Sequence, residues 1–307
     1  SGTATINADT GGSTITMTNS ASGNYTLSGG AGVDNLTGGS GADIVTGAAG
    51  NDVLIGGAGV DTINGGADND ALTGGADNDN LTGGAGNDTF NVDSGTDTIT
   101  DLTSGDILNV SSGATANITN VTSFTATASS SNSGTVTIST DNSSGGTVDM
   151  SSASGNYTLS GQGSIDTLTG GGGNDIISGG TGADALTGGG GNDVLTGGVD
   201  NDNMTGGTGN DTFKVDSGTD TITDLATGDI LVVSSGATAN ATNISAFDAT
   251  SSTSNSGTAN LTTATGGGSA VALSLNTAHS AIVTSGAQAF TLANGVNGQL
   301  KTITMVT

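Results

Sequence analysis

A single apolar residue recurs every nine positions along two stretches of the chain, residues 29–91 and residues 161–214. The positions on either side of it are mostly polar, and the rest of each period is rich in glycine and aspartate. Successive side chains of a strand point to opposite faces, so this pattern is typical of a short half-buried β-strand. Nine residues are too few for a helical hairpin, and the pattern predicts one strand per period.

The period is a near-perfect nonapeptide, Gly-Gly-x-Gly-x-Asp-x-apolar-x, present seven times in the first stretch and six times in the second. Position one is always glycine, at Gly29, Gly38, Gly47, Gly56, Gly65, Gly74, Gly83, Gly161, Gly170, Gly179, Gly188, Gly197 and Gly206. Position six is always aspartate, at Asp34, Asp43, Asp52, Asp61, Asp70, Asp79, Asp88, Asp166, Asp175, Asp184, Asp193, Asp202 and Asp211. Glycine at positions one, two and four favours turns with positive φ, so positions seven to nine are predicted to form the strand.

Two nonapeptides then make one coil of a solenoid, with a turn at each end and coils stacked about 4.8 Å apart. Each repeat lies above the repeat two further along, which places position-six aspartates above one another along both edges. Like charges about 5 Å apart repel. The pattern therefore predicts an all-β fold of two parallel β-solenoids that need a counterion at their acidic edges.

Composition strengthens the case for a counterion. The 307 residues include 57 glycines and 28 acidic residues, against two basic residues, for a net charge of −26. Such a chain is expected to stay disordered unless something offsets its charge and its conformational entropy. Calcium fits, because it prefers six to eight oxygen ligands and the turns offer carboxylates and exposed carbonyls. The chain has no cysteine, and its single histidine, His279, lies outside both arrays, which disfavours transition metals.

These nonapeptides resemble the RTX (repeats-in-toxin, hemolysin-type) calcium-binding repeats. The resemblance implies a parallel β-roll in which the position-six carboxylates and the loop carbonyls at the position-one glycines hold Ca²⁺. It also implies type I secretion and folding outside the cell, where calcium is abundant. Three repeats carry aspartate at position four, Asp68, Asp77 and Asp200, which could add a carboxylate or be solvated. One ion between each repeat and the next but one gives about nine ions in total.

Longer duplications surround the arrays. Residues 22–29 recur as 154–161, and residues 88–102 recur almost unchanged as 211–225. We predict the end of a preceding β-rich module in residues 1–21 and a first β-roll with cap strands in residues 22–110. A β-rich spacer follows in 111–153, then a second roll with cap strands in 154–233 and a β-rich C-terminal segment in 234–307. The spacers could instead be linkers.

Further aspartates follow each array, and one tyrosine precedes each. The aspartates could ligate more calcium or be solvated turn residues: Asp93, Asp97, Asp101 and Asp106 after the first array, and Asp216, Asp220, Asp224 and Asp229 after the second. Tyr25 and Tyr157 occupy equivalent places before the arrays, where they could cap the apolar end of the roll or form a ligand platform.

The function classes narrow accordingly. The strong negative charge disfavours binding to nucleic acid. The sequence contains no run of 18 apolar residues, so we expect no insertion into a membrane. With no cysteine, glutamate or arginine, we expect no enzyme. We expect a secreted calcium-binding structural or interaction protein of a bacterial surface layer, adhesin or extracellular fibre, which self-assembles or binds cell-surface partners. The alternatives are the secretion and folding module of a type I secreted exoenzyme or toxin, and a virion fibre or coat protein.

Overall fold

In the residues that the computed structural model describes, the protein consists of β-strands joined by turns, without a helix. The described residues are 3–8, 10–17, 23–244, 247–248, 254–255, 257–263, 273–274, 281–284 and 304–306. His279 and much of the predicted C-terminal segment lie outside them. The chain divides into two compact units, Ser1–Ser139 with Thr147–Asn156, and Thr140–Gly146 with Tyr157–Thr307.

The first unit consists of short strands that follow one another at close intervals. They are β1 (Thr3–Asn7), β2 (Thr14–Thr16), β3 (Asn24–Ala31), β4 (Asn35–Ser40), β5 (Ile44–Ala49), β6 (Val53–Ala58), β7 (Thr62–Ala67), β8 (Ala71–Ala76), β9 (Asn80–Ala85), β10 (Thr89–Val92), β11 (Thr96–Ile99), β12 (Ile107–Val110), β13 (Thr115–Val121), β14 (Ser123–Thr125), β15 (Ser131–Asn132), β16 (Thr135–Thr140) and β17 (Thr147–Asp149). Strands β13–β17 fall within the segment predicted as a spacer, and Phe124 of β14 is fully buried.

The second unit repeats this arrangement. Its described strands are β18 (Tyr157–Ser160), β19 (Thr167–Thr169), β20 (Ile176–Thr181), β21 (Ala185–Gly190), β22 (Val194–Val199), β23 (Asn203–Thr208), β24 (Thr212–Val215), β25 (Thr219–Ile222), β26 (Ile230–Val233), β27 (Thr238–Ile244), β28 (Phe247–Asp248), β29 (Ser254–Asn255), β30 (Thr258–Thr263), β31 (Leu273–Ser274), β32 (Ala281–Thr284) and β33 (Thr304–Val306).

Within the arrays, each strand pairs in parallel with the strand two positions further along the chain. In the first unit β4 pairs with β6 and β6 with β8, while β5 pairs with β7 and β7 with β9. In the second, β20 pairs with β22 and β21 with β23. Partners lie eighteen residues apart, as in Leu54↔Leu72 and Leu186↔Met204, so equivalent positions of alternate repeats stack. The predicted parallel β-solenoid fold is confirmed, while its separation into two rolls stays a prediction.

The strands are longer than the three residues predicted from the pattern. In the middle of each array they span positions seven to nine and continue through the first three positions of the next repeat, as in β6 and β22. Position-one glycines do not have positive φ in any described repeat, so that expectation was wrong. Position-two residues in most repeats do, including the non-glycine Ala48 at 89° and Gln162 at 64°. The turn itself is confined to positions four to six.

The core of each unit is narrow, because each strand in an array contributes one fully buried apolar side chain. In one column Leu36, Leu54, Leu72 and Phe90 stack above one another. This column and its counterpart on the facing strands leave little apolar surface to bury per coil, so hydrophobic burial contributes less here than in an ordinary domain.

Candidate metal centre

All thirteen position-six aspartates lie inside the roll beside this core, each at most 3% exposed. Carboxylates are rarely buried unless they are paired, since burial removes the water that stabilises the charge. The two strand columns of each unit bring these side chains together along its two edges, as the stacking of alternate repeats requires.

One oxygen of each carboxylate is used by the main chain of the neighbouring coil. The N–H of Asp34 donates to Oδ1 of Asp52 at 2.7 Å, and the N–H of Asp52 donates to Oδ1 of Asp70 at 2.8 Å. We call such a series an aspartate ladder. The ladders of the first unit are Asp34, Asp52, Asp70, Asp88 and Asp106, and Asp43, Asp61, Asp79 and Asp97. Those of the second are Asp166, Asp184, Asp202 and Asp220, and Asp175, Asp193, Asp211 and Asp229.

The second oxygen is the unusual one. Within the described residues, Oδ2 is buried without a hydrogen-bond partner in Asp43, Asp52, Asp61, Asp70, Asp79, Asp97, Asp166, Asp184, Asp193, Asp202 and Asp220. A buried unsatisfied acceptor costs about 1–3 kcal/mol, and more when it carries charge. Because this feature repeats in register over so many coils, it indicates a bound cation that the oxygen atoms coordinate.

The position-one glycines leave room for that ligand. A methyl group on Gly56 would lie 2.7 Å from the carbonyl oxygen of Gly74 in the next coil, and one on Gly29 would lie 2.5 Å from Oδ2 of Asp34. A carboxylate oxygen and a main-chain oxygen thus converge on the space that a side chain would fill. Both are hard oxygen donors of the kind that calcium prefers, so the residues present fit Ca²⁺.

Side chains alone do not form the site. No group of three or more carboxylate or imidazole side chains comes together among the residues described in the structure. Any calcium shell at these edges must therefore draw on main-chain carbonyls as well as on the aspartates, as the glycine-rich turns predict. The sequence-predicted set, position-six aspartates with position-one glycines, is brought together coil by coil.

The position-four aspartates lie elsewhere. Asp68, Asp77 and Asp200 are exposed, with φ of 77°, 78° and 84°. Oδ2 of Asp68 accepts the N–H of Gly50, and Oδ2 of Asp77 accepts that of Gly59, both at 3.1 Å. These contacts brace neighbouring turns on the outside of the roll, which favours the solvated alternative over a further calcium ligand.

The aspartates after the arrays separate into three groups. Asp97, Asp106, Asp220 and Asp229 are buried and continue the ladders, so the solvated-turn alternative was wrong for them. The two carboxylate oxygens of Asp101 accept the N–H groups of Gly83 and Gly84, and Asp224 does the same for Gly206 and Gly207. Asp93 and Asp216 are exposed.

Two signals in the sequence were missed. The nine-residue phase continues through residues 92–109 and 215–232, with aspartate at position six and an apolar residue at position eight but without the position-one glycine. Asparagine is also frequent at position five, where the side-chain oxygen of Asn51 accepts the N–H of Asn69, and that of Asn69 accepts the N–H of Asn87. These amides brace the turns on the exposed side.

The two tyrosines begin ladders. The N–H of Tyr25 donates to Oδ1 of Asp43, and the N–H of Tyr157 donates to Oδ1 of Asp175. Tyr157 is buried, and burial raises its pKa to about 12. Both occupy the position-six place of the coil before the array, which favours the capping role over a ligand platform.

Burial raises the pKa values of most ladder carboxyl groups, and in many of them the charges of neighbouring aspartates raise the pKa further, although the main-chain hydrogen bonds oppose this. The pKa of Asp61 rises to about 7, that of Asp97 to about 7, and that of Asp70 to about 6. In the second unit the pKa of Asp193 rises to about 6 and that of Asp220 to about 7. Without metal, the folded ladders therefore bind protons near neutral pH.

These shifts predict a pH dependence. Since the folded-state pKa values of about 6 to 7 lie above the usual 3.8, the metal-free fold gains stability as the pH falls and loses it as the pH rises through 6 to 7. Protons also compete with calcium for the carboxylates. The unfolded aspartates are already ionised between about pH 6 and pH 8, so the stabilisation of the metal-free fold prevails over this competition. In circular-dichroism titrations, we therefore expect the calcium concentration at half-folding to fall as the pH falls from about 8 to about 6. A midpoint independent of pH would contradict protonation of these sites.

Comparison with known sequences agrees with this geometry. A sequence model described as the RTX calcium-binding nonapeptide repeat (4 copies) matches residues 28–63, 37–72, 64–99, 154–186, 178–213 and 187–222. No curated protein matches the chain. In the part of the chain that the structure describes, no helix is long and apolar enough to cross a membrane. Both arrays of this chain therefore match the RTX calcium-binding nonapeptide repeat, over residues 28–99 and 154–222.

Proposed function

We propose that this protein is a secreted structural protein whose RTX arrays fold on calcium and become rigid modules of a bacterial surface layer, adhesin or extracellular fibre. The observation that carries the proposal is the row of buried, unpartnered Oδ2 atoms along the ladders. A chain with these oxygens stays unfolded where calcium is scarce and folds where calcium is plentiful, which suits export by a type I system before folding.

In this proposal, calcium is held by the position-six aspartates together with main-chain oxygens of the position-one glycines. About nine ions, one between each repeat and the next but one, would add about 18 positive charges to the net charge of −26. Each ion would join two neighbouring coils, so metal binding and stacking become one process, as in other metal-dependent folds.

The structural role follows from the regularity of the coils. Stacked parallel coils make a quasi-one-dimensional element whose length grows with the number of repeats. The chain carries two such arrays with nearly identical flanks, which suits a spacer better than a catalytic scaffold. Main-chain hydrogen bonds and the Oδ1 contacts of the ladders join neighbouring coils, and the exposed acidic surface keeps the roll soluble.

We propose that each array forms its own roll with its cap strands, over residues 22–110 and 154–233. Support comes from the division of the chain into two compact units, each of which contains one complete array and its ladders. The contacts of Asp101 and Asp224 with the last glycine pair of each array also recur in both units.

Imaging of the native cell surface tests the structural role. Immunogold labelling in cryo-electron tomography is expected to find the protein in an extracellular layer or fibre that loosens after chelation and re-forms with Ca²⁺ but not with Mg²⁺. Recovery of the protein only as a freely soluble hydrolase or toxin in the medium would support the exoenzyme alternative instead. Labelling confined to phage particles would support the virion alternative, whose sequence basis lies mostly outside the described residues.

A further inference from the structure

One asparagine of the first array stands directly before a position-one glycine. Asn64 is position nine of its repeat, and Gly65 begins the next repeat. Where other repeats of the arrays meet a position-one glycine, position nine is threonine, serine or isoleucine. Asn64 is the one asparagine followed by glycine among the residues that the structure describes. Such a pair can modify itself, because glycine has no side chain to hinder attack by its own main-chain nitrogen on the asparagine amide.

The reaction needs no enzyme, and water is its only co-reactant. The main-chain nitrogen of Gly65 bonds to Cγ of Asn64, the Cγ–Nδ2 bond breaks, and the proton of the N–H leaves with the amide nitrogen as ammonia. Water then opens the cyclic imide. Cleavage between the nitrogen and Cγ gives aspartate. Cleavage between the nitrogen and the main-chain carbonyl carbon gives isoaspartate, whose main chain runs through Cγ and is one carbon longer.

The folded roll opposes this reaction through strand pairing and not through burial. The Asn64 side chain is exposed, but the residue pairs on both sides, with Thr46 of β5 and with Thr82 of β9. Closure of the imide requires the main chain at Asn64 to rotate out of its extended conformation, which would break both pairings. The equivalent N–H groups of Gly161 and Gly170 each donate to a carbonyl oxygen of the next coil at 2.8 Å, so the attacking atom at this position is held in the ladder of strands.

The isoaspartate product would disturb a site assigned to calcium. At Gly47, a methyl group would contact Oδ2 of Asp52 and would lie 2.6 Å from the carbonyl oxygen of Gly65. The Gly65 carbonyl therefore belongs to one of the pairs of oxygens that converge on the space for an ion. An isoaspartate at residue 64 adds one main-chain carbon directly before Gly65 and displaces this oxygen.

We propose that Asn64 and Gly65 form a self-modification site that is open in the calcium-free chain and closed in the calcium-loaded roll, and that its isoaspartate product removes a calcium site from the first array. The proposal rests on the proposed calcium-dependent folding. The reaction proceeds through opened or unfolded chains, as hydrogen exchange does. The isoaspartate content at residue 64 then records how long a chain has been without calcium.

The test follows deamidation of the full chain by mass spectrometry during incubation with Ca²⁺, with Mg²⁺, with a chelator and in urea. Circular dichroism is recorded on the same samples. Asn91 is the matched control, since it is position nine of the last repeat of the array but is followed by Val92. We expect Asn64 to deamidate at the urea rate with the chelator and with Mg²⁺, and at least about tenfold more slowly with Ca²⁺, because paired strands open rarely. Asn91 should react slowly throughout.

Two outcomes separate this proposal from the proposed function. Deamidation of Asn64 at the urea rate in a Ca²⁺ sample with a full β-sheet spectrum would overturn the self-modification site and leave the proposed function intact. A β-sheet spectrum that persists in the chelator would refute the proposed function, and calcium control of residue 64 with it.

A second measurement tests the product. Chain aged in the chelator is returned to Ca²⁺ and compared with fresh Asn64→Asp, which has the charge without the extra main-chain carbon. It is also compared with Asn64→Gln aged in the same way, because the longer side chain closes its ring slowly. We expect calorimetry to count fewer bound Ca²⁺ ions in the aged chain, while both variants keep the count of fresh protein. Equal counts in aged and fresh protein would overturn the proposed loss of a calcium site.

Discussion

Removal of calcium is expected to abolish the β-sheet signal of the far-ultraviolet circular-dichroism spectrum at mildly alkaline pH, and readdition of Ca²⁺ should restore it. The reason is the set of eleven buried Oδ2 atoms without a partner in the described residues, six in the first unit and five in the second. At about 1–3 kcal/mol each, they together match or exceed the about 5–15 kcal/mol by which a typical domain is stable. The narrow core cannot offset them.

A variant in one array tests whether the two arrays fold separately when calcium is added back. Asp52→Ala removes one carboxylate from the ladder that also contains Asp34 and Asp70. Hydrogen exchange followed by mass spectrometry should show a higher calcium requirement in residues 22–110 and an unchanged one in residues 154–233. Equal shifts in both arrays would contradict separate folding, and a β-sheet spectrum insensitive to chelation would contradict calcium-dependent folding altogether.

Substitution of a position-one glycine should have the second large effect. The methyl group of Gly188→Ala would lie 2.5 Å from the Gly206 carbonyl oxygen and against Oδ2 of Asp193, in the space assigned to the ion. Overpacking of this kind costs about 1–3 kcal/mol even before a ligand is lost. We therefore expect a higher calcium midpoint and lower stability in urea at fixed Ca²⁺.

Gly172→Ala is the control. It occupies position three of a neighbouring repeat on the same edge, is exposed, and would place its methyl group with no atom within 4 Å. Alanine there should be neutral or stabilise the fold by up to about 1 kcal/mol, because it restricts the unfolded chain. If Gly172→Ala and Gly188→Ala lowered stability equally, backbone preference and not space for an ion would explain the glycines.

The sequence predicted the main lines of the fold because the repeat is local and periodic. A nine-residue period with one apolar position means that every coil buries the same position in the same way. The pairing of alternate repeats and the stacking of Asp52 above Asp34 could therefore be predicted from the period. The role of Asp97 was harder to predict, because its aspartate continues the phase without the glycine that marks a repeat.

Hydrogen-bond partners on other coils lay beyond the sequence. The position-one glycines were expected to provide positive φ, but the structure shows that they provide space. In most repeats a side chain there would strike Oδ2 of the aspartate in the same repeat and a carbonyl oxygen of the coil eighteen residues away. Asp97 and Asp93 lie four residues apart, and only Asp97 keeps the position-six phase. The former is buried in a ladder and the latter is exposed.

The sequence by itself therefore determined the period, the all-β solenoid and the acidic edges that require a cation. Only the tertiary structure decided which carboxylate oxygens are left without a partner. Asp229 is satisfied by the N–H of Ala226, whereas Asp220, at the same place on the opposite edge, is not. The physical reason is that hydrogen bonding at the end of a ladder depends on where the following loop places its N–H groups, and a repeating pattern carries no information about the loop that ends it.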